Sequence, residues 1–196
     1  MAPRSNWTSG SGCALERGRV FAVSAPFTGT MIGRLWRKSR FLTPYLRNTL
    51  WERGYVVDTL ETAVPWSEVL VTARSMKDAL RGGLTKAGVP SWEAERVLVF
   101  AHLSHVYRDG ASVYLTYLYR RAVDPDETQE RWSKLKSSAS QVILAHRGTI
   151  SHQHGVGLDH APYLEAEKGE IGMKLLRQAS RALDPNGIMN PGKLVM

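Results

Sequence analysis

Residues 149–157 read T-I-S-H-Q-H-G-V-G and place two histidines, His152 and His154, on either side of a glutamine. Histidine is the side chain that exchanges a proton most readily near neutral pH, so two on one short loop favour proton-transfer chemistry. The glycines that follow, Gly155 and Gly157, allow backbone conformations that other residues rarely adopt. This loop is therefore the first candidate for a functional site.

A predicted β-hairpin carries further groups of the same kind. Residues 96–106 read as an apolar strand that ends in histidines, and residues 111–120 read as its partner because Tyr and β-branched residues dominate them. His105 lies at the end of the first strand, and Tyr114 lies near the start of the second. We expect these side chains to meet the histidine loop at one end of a sheet.

The elements that hold these groups follow a definite order. A strand at residues 55–64 precedes a helix that opens at Pro65, and the hairpin comes next. A further helix starts at Asp124, and Thr149–Ile150 reads as one more short strand. This order predicts an α+β fold, namely a ferredoxin-like split βαβ antiparallel sheet with additional flanking helices.

Both faces of the predicted sheet are apolar. Along the hairpin, Tyr117 and Tyr119 lie on one face, while Phe100 and Tyr114 lie on the other. Because the helices of this arrangement cover a single face, something else must cover the second. We therefore expect a binding surface there.

The ends of the chain extend this core. A short helix opens at Pro44, and the last helix runs from about Ala161 to Leu183. Its apolar stripe consists of Ile171, Leu175, Ala179 and Leu183. Residues 1–35 are rich in Gly, Ser, Thr and Arg without a sustained period, which predicts an irregular arm ahead of a domain at residues 36–196.

The amino-acid composition indicates the general class of ligand but does not identify a particular one. The 196 residues include 43% hydrophobic side chains, enough for a core, and carry a formal charge of +8. That charge suits a phosphorylated or otherwise acidic ligand. Cys13 is the single cysteine, so no disulfide forms within the chain and a reducing setting is expected. The sequence has no apolar run of membrane-spanning length. We predict a cytoplasmic location, with peripheral attachment to a membrane as the alternative.

Three other site chemistries fit the sequence less well. A metal ion held by His105, His152 and His154 lacks an acidic ligand in the loop before Asp159, so no metal is predicted. The motifs G-x-S-x-G and G-x-G-x-x-G, typical of serine hydrolases and dinucleotide-binding folds, do not occur. The sheet signature of RNA-binding domains is also missing, so no nucleic-acid partner is predicted.

Several motifs in a fixed order resemble one known family. S-H-Q-H-G-V-G, preceded by I-L-A-H-R-G-T-I and followed by a helix ending D-P-N-G-I-M-N-P-G-K-L, is similar to the C-terminal cap domain of FAD-linked oxidases of the vanillyl-alcohol oxidase type. P-Y-L-R-N from Pro44, L-E-T-A-V-P-W from Leu60 and S-V-Y-L-T-Y-L-Y-R from Ser112 most resemble its alkylglycerone-phosphate (alkyldihydroxyacetonephosphate) synthase branch. In the family an FAD-binding domain precedes this cap, and we expect that domain to be absent from this chain.

The resemblance implies roles for individual residues. Tyr114 corresponds to the family's catalytic tyrosine, and His152 and His154 correspond to the outer histidines of S-H-H-H-G-V-G, with Gln153 in place of the central one. We expect Tyr114 to move a proton at the substrate carbon and the two histidines to stabilise oxygens that gain charge. Further predicted residues are His105, Gln153, Arg47 and Arg120 for substrate binding and Gly155, Gly157 and Asn190 for cofactor binding.

The function implied by the resemblance is that of a substrate-binding cap in an FAD-dependent enzyme, incomplete in this chain alone. In the synthase branch, a transferase of ether-lipid synthesis, flavin N5 takes up C1 of an acylated dihydroxyacetone phosphate and a fatty alcohol replaces the acyl group. One alternative is an oxidoreductase acting on a 2-hydroxy acid such as D-lactate or glycolate, although Gln153 and Tyr114 stand where that branch has metal ligands. A non-catalytic ferredoxin-like binding module is the other. The expected partners are a small phosphorylated substrate and an FAD-binding domain or subunit, with a homodimer left open.

Overall fold

A computed structural model of the chain describes residues 12–16, 19–23, 34, 37–39, 41–85 and 96–194. The chain divides into two compact units, residues 1–46 and residues 47–196. In the first unit, strands β1 (Gly12–Glu16) and β2 (Arg19–Val23) pair as an antiparallel hairpin. Part of the predicted irregular arm is therefore regular, because two short apolar runs within it can pair. The other residues predicted as arm lie mostly outside the described ranges, and the domain boundary at residue 36 stays a prediction.

The second unit contains a three-stranded antiparallel sheet. Its strands are β3 (Tyr55–Pro65), β4 (Leu98–Val106) and β5 (Gly110–Arg120), in the order β3–β5–β4 with β5 at the centre. From residue 41 onward, the helices of the described residues are α1 (Thr43–Glu52), α2 (Val69–Gly82), α3 (Pro125–Ala145) and α4 (Ala161–Leu183). This architecture confirms the predicted α+β class with flanking helices.

One face of the sheet forms the hydrophobic core. Leu60 of β3 and Val113 and Leu115 of β5 are at most 1% exposed, and they belong to one cluster with Met76 and Leu80 of α2. Strand residues of this face alternate with residues of the opposite face, whereas α2 buries positions spaced by three and four. Each fully buried aliphatic side chain of this kind stabilises the fold by about 1.5–3 kcal/mol.

The helix after β3 begins later than its sequence predicts. Pro65 is the last residue of β3, where it pairs with Gly110, and α2 starts at Val69. The reason is the length of β5. Its eleven residues begin at Gly110, which pairs with Pro65, so Pro65 belongs to the sheet and cannot begin the helix.

The apolar stripe of α4 is exposed. Ile171, Leu175 and Leu183 are each at least 67% exposed, while the buried residues of the helix are Leu164 and Met173. Gly169, at φ 70° and ψ 166°, breaks the helical backbone between those two buried residues. Within the described ranges, no helix combines the length and the apolar character needed to cross a membrane.

Thr149–Ile150 does not form the predicted fourth strand, although the segment lies along β3. The Thr149 N–H donates to Ala63 O at 3.2 Å, and the His152 N–H donates to Glu61 O at 3.3 Å. Three steps along residues 149–152 thus match two steps along β3, so the regular hydrogen-bond pattern of a paired strand is interrupted. Gly148 permits the close approach, because a Cβ at that position would collide with the Thr62 hydroxyl. The histidine loop therefore occupies the sheet edge next to β3.

Candidate active site

A buried carboxylate lies at the centre of the site. Glu61 on β3 alternates with the core residue Leu60, so it points to the sheet face opposite α2 and α3, and its side chain is 3% exposed. The register places Glu61 opposite Tyr114 on β5, and Tyr114 opposite His102 on β4. A carboxylate this buried requires polar partners, because losing water costs several kcal/mol that only hydrogen bonds and charges can offset.

A β-bulge in β4 delivers two adjacent side chains to that carboxylate. The register shifts between Leu103 and Val106, where three steps along β4 match two along β5. Ser104 donates a hydrogen bond from Oγ to Glu61 Oε1, and His105 Nδ1 lies 3.6 Å from the same oxygen. In a regular strand, neighbouring side chains point to opposite faces, and the bulge removes that alternation locally.

The histidine loop reaches the same carboxylate from the β3 edge. His152 Nδ1 lies 3.1 Å from Glu61 Oε1, and His154 Nε2 lies 3.3 Å from Glu61 Oε2. Gln153 between them has φ 61°, in the left-handed region, and its side chain is exposed. The loop therefore aims both histidines, but not the glutamine, at Glu61.

The surroundings of Glu61 keep it ionised. Burial acts to raise the pKa of Glu61, but hydrogen bonding from Ser104 and the contact with His152 outweigh burial, so the pKa lies below its ordinary value of 4.5. The site therefore holds a negative charge at neutral pH, surrounded by three imidazole rings. Such a cluster can accept, hold and pass on protons.

Two tyrosines border the cluster. The Tyr107 hydroxyl lies 2.8 Å from His152 Nε2. The Tyr114 ring lies between two imidazoles, with its centroid 5.0 Å from that of His102 and 5.6 Å from that of His154. The structure thus brings together four residues predicted to converge: Tyr114, His105, His152 and His154.

Three other predicted residues lie apart from this cluster. Arg47 donates from Nε and Nη2 to Val57 O at 3.1 and 2.9 Å. Arg120 ends β5 six residues beyond Tyr114, a separation of roughly 20 Å along an extended strand. Asn190 follows α4 and is exposed. Contact of these three residues with a ligand stays a prediction.

The predicted cofactor-binding glycines line a cleft next to the cluster. Gly155 and Gly157 have φ of 73° and 56°, which explains the residue type at both positions. The cleft has a volume of about 360 Å³ and is also lined by Asp58, Lys136 and His154. This volume lies at the small end of the range for ligand-binding pockets.

Two further histidines, His146 and His160, have their hydrogen-bond partners outside this cluster. His146, after α3, contacts Glu68 Oε2 through Nδ1 at 3.3 Å and Ser75 Oγ through Nε2 at 3.2 Å. His160 precedes α4, is buried, and contacts Gly155 O through Nδ1 at 3.1 Å. Burial lowers the pKa of His160 below its ordinary value. Neither ring contacts Glu61.

Comparison with known proteins identifies the family. The family described as FAD linked oxidases, C-terminal domain, matches residues 19–194. The chain belongs to this family. Alkyldihydroxyacetonephosphate synthase from Trypanosoma brucei brucei is 30% identical over 174 residues, which are 89% of this chain and 27% of that protein. D-2-hydroxyglutarate dehydrogenase from Stutzerimonas stutzeri (strain A1501) is 28% identical over 149 residues, 74% of this chain and 30% of that protein.

A solved structure of an alkyldihydroxyacetonephosphate synthase shares the fold. It superimposes with a TM-score of 0.54 at 23% sequence identity, and the match covers 88% of this chain and 26% of that one. The chain thus spans less than a third of the length of these relatives. Membership of the FAD-linked oxidase family, predicted from the motifs, is confirmed.

Residues outside the sequence-based predictions complete the site of this FAD-linked oxidase domain. Glu61, Ser104 and Tyr107 supply the central carboxylate, a hydrogen bond to it, and a phenol that contacts His152. A signal for Glu61 is present in the sequence, because it is an acidic residue in the middle of a strand whose neighbours are Leu60 and Thr62. An acid at such a position is buried only with partners.

The same cluster could hold a metal ion. One donor atom each from Glu61, His105 and His152 lies within 4.8 Å of the other two, and these are ligand types that zinc accepts. The acidic ligand that is missing from the histidine loop thus comes from β3 instead. The prediction of no metal stays untested.

The sheet face opposite the helices is apolar and aromatic beyond the histidine cluster. Leu98 and Phe100 of β4 are 56% and 58% exposed, and they share this face with His102 and Tyr114. An apolar and aromatic surface of this kind suits a planar ring system. Phe100, His102 and Tyr114 therefore form the aromatic part of this open face.

Proposed function

We propose that this chain is the substrate-binding cap of an FAD-dependent enzyme of the alkylglycerone-phosphate synthase type. One observation carries the proposal: Tyr114, His105, His152 and His154 converge around the buried Glu61 on the sheet face that the helices leave open. Membership of an FAD-linked family supports FAD as the cofactor. Similarity to synthases over most of the chain supports this branch.

The chain's own residues handle protons and developing charge, while a bound flavin would supply the electrophilic centre for exchange of the acyl group on the substrate carbon for an alkyl group. Tyr114, packed against His102 and His154, takes a proton from that carbon and returns it. His154, held by Glu61, donates a hydrogen bond to an oxygen that gains negative charge. The apolar side chains of the open face exclude water from the reacting groups.

The finer parts of the proposal concern the substrate and the surroundings of the enzyme. A phosphorylated substrate is supported by the chain's charge of +8, with Arg47 and Arg120 as proposed ligands and Gln153 as a further polar contact. Gly155, Gly157 and Asn190 are the proposed contacts to the cofactor. A homodimer and a cytoplasmic, membrane-peripheral location stay predictions, which gel filtration and cell fractionation would test.

The substitution Tyr114→Phe tests the central assignment in the complete flavin-containing enzyme. Removing a general acid–base group should lower turnover by about 10²–10⁴-fold, while visible absorbance shows that flavin remains bound. Tyr55→Phe is the matched control: Tyr55 begins β3, six residues before Glu61 and roughly 20 Å from it along the strand, so this change should leave turnover unchanged. Turnover in Tyr114→Phe equal to that of the unaltered enzyme would remove Tyr114 from the mechanism.

Oxidation of a 2-hydroxy acid is the second candidate function. It is favoured by the similarity to D-2-hydroxyglutarate dehydrogenase over 74% of the chain and by the three potential metal ligands Glu61, His105 and His152. Reduction of an electron-acceptor dye by D-2-hydroxyglutarate, D-lactate or glycolate would support it, and exchange of acyl for alkyl groups would support the synthase. If neither activity is detected when the FAD-binding half is supplied, the chain is a non-catalytic binding module.

A further inference from the structure

Both ring nitrogens of His152 face a protein side chain. Nε2 lies 2.8 Å from the Tyr107 hydroxyl, and Nδ1 lies 3.1 Å from Glu61 Oε1. The His152 side chain is only 13% exposed. Direct contact between this imidazole and a substrate would therefore require one of the two partners to leave.

Electrostatics decides where the ring proton of His152 resides. The Nδ1 atom of His152 is buried and makes no hydrogen bond within the described residues, yet it lies 3.1 Å from Glu61 Oε1, and both groups are largely buried. A lone pair on Nδ1 would face an anionic oxygen and be repelled, whereas an N–H at that position is attracted. In the neutral ring the proton therefore belongs on Nδ1, and Nε2 is left as an acceptor.

Tyr107 is suited to be the donor to that acceptor. When Nε2 carries a lone pair, the hydrogen of this hydrogen bond must come from the Tyr107 phenol O–H. The Tyr107 ring is stacked on His105, with centroids 6.3 Å apart and planes inclined by 10°, which restrains its orientation. Tyr107 is also 45% exposed, so the phenol is accessible from outside the cluster.

We propose that Glu61 and Tyr107 are positioning residues for His152: Glu61 holds the ring proton on Nδ1, and Tyr107 donates its hydroxyl proton to Nε2. Protons that enter or leave this side of the site then pass through Tyr107, and His152 acts on a substrate through that phenol. The action on substrate rests on the proposed function. The position of the ring proton and the hydrogen bond do not depend on it.

Nuclear magnetic resonance of the ¹⁵N-labelled chain tests the arrangement. Long-range ¹H–¹⁵N correlations show which nitrogen of each imidazole carries the proton, and the His152→Gln variant identifies the signals of His152. The spectra are recorded at about pH 8.5, roughly two units above the ordinary pKa of histidine. We expect Nδ1 of His152 to be the protonated nitrogen and the Tyr107 hydroxyl proton to show a cross-peak to the His152 ring.

Three substitutions separate the two positioning residues. Glu61→Gln should move a large share of the His152 ring proton from Nδ1 to Nε2. Tyr107→Phe should abolish the hydroxyl cross-peak, shift the Nε2 resonance and leave the proton on Nδ1. Tyr114→Phe is the matched control and should change neither signal, because Tyr114 contacts His154 through its ring.

Three results would overturn the proposal. They are an Nε2–H form of His152 in the unaltered chain, an unchanged Nδ1–H form in a folded Glu61→Gln variant, and a hydroxyl cross-peak that survives Tyr107→Phe. If Glu61→Gln does not fold, Ser104→Ala takes its place: the carboxylate remains, so the proton must stay on Nδ1, and its transfer to Nε2 would also contradict the proposal. A lack of flavin binding or turnover would defeat the proposed function and leave these spectra unaffected.

Discussion

Asp58 and Glu61 lie three residues apart on β3 and point to opposite faces of the sheet. Their side chains are 15% and 3% exposed, and polar partners hold the pKa of both carboxyls below the ordinary value although burial acts to raise it. The partners differ in kind. That difference separates an acid that joins elements of the fold from an acid that lies among histidines.

The partners of Asp58 keep their charge and protons at neutral pH. Three of them donate to Oδ2: Trp132 Nε1 at 2.8 Å, Tyr117 Oη at 3.0 Å and Lys136 Nζ at 3.3 Å. Burial and the neighbouring Asp58 raise the pKa of Tyr117, so its phenol stays protonated. These contacts tie β3 to β5 and α3 and cannot be switched by small changes of pH.

The partners of Glu61 are of the opposite kind. Histidine is the side chain whose charge changes most readily near neutral pH, and three histidines contact this carboxylate. Two carboxylates that are both largely buried therefore differ in the chemical type of the side chains around them. Glu61 differs from Asp58 in being surrounded by imidazole rings.

The largest effect is expected for Asp58→Ala. Lys136 is 8% exposed and would keep a buried charge without its partner, so the free energy of unfolding should fall by about 3–5 kcal/mol. Urea unfolding followed by circular dichroism measures this. Asp78→Ala, at an exposed position of α2, is the matched control and should stay within about 0.5 kcal/mol of the unaltered chain.

A double substitution sharpens that result. Adding Lys136→Met to Asp58→Ala removes the unpaired buried charge and should recover part of the lost stability. If nothing is recovered, the loss in Asp58→Ala comes from the hydrogen bonds of Tyr117 and Trp132 rather than from the lone ammonium group.

A smaller effect is expected for Glu61→Gln. The partners of Glu61 are a serine hydroxyl and three imidazoles, so this substitution leaves no buried lysine ammonium group without its carboxylate. The loss at about pH 7 should be about 1–3 kcal/mol. Because the folded pKa of Glu61 lies below 4.5, its stabilisation is complete above about that pH and is lost as the pH falls further. The difference in urea midpoint between Glu61→Gln and the unaltered chain should therefore shrink below about pH 4.5. A constant difference across this range would show that the charge of Glu61 does not stabilise the fold.

The smallest effect is expected for Arg47→Ala, although Arg47 also contacts Asp58, at 3.4 Å. Its side chain is 64% exposed, so water and salt screen the pair, and the loss should not exceed about 1 kcal/mol. Urea midpoints at low and high salt measure it, and the loss should decrease at high salt. A loss comparable to that of Asp58→Ala would mean that Arg47, rather than Lys136, neutralises the carboxylate.

Much of the fold could be predicted because its signals are local. The Tyr-rich and β-branched run at residues 111–120 is β5, the apolar residues at steps of three and four form the buried face of α2, and Asp124 caps α3 by accepting a hydrogen bond from the Asp126 N–H. Each of these signals depends on neighbours a few residues apart. The motifs around His152 were likewise sufficient to predict the family.

The site could be predicted only in part. Sequence spacing brings His105, Tyr114 and the histidine loop to one end of a sheet, but it does not reveal that Glu61 is their common partner. That contact depends on the bulge that turns Ser104 and His105 to the same side, and on the path of residues 148–152 along β3. Neither feature has a local signature of its own.

The sequence by itself therefore determined most of the helices and strands of the second unit, the α+β class and the family, because periodic burial and short motifs are properties of neighbouring residues. The tertiary structure alone decided that Thr149–Ile150 lies beside β3 without becoming a strand, that the stripe of α4 is exposed, and that residues 61, 104, 107 and 152 meet. The physical reason is that these contacts join segments tens of residues apart. Their geometry depends on strand register, on a bulge and on the close approach that Gly148 allows.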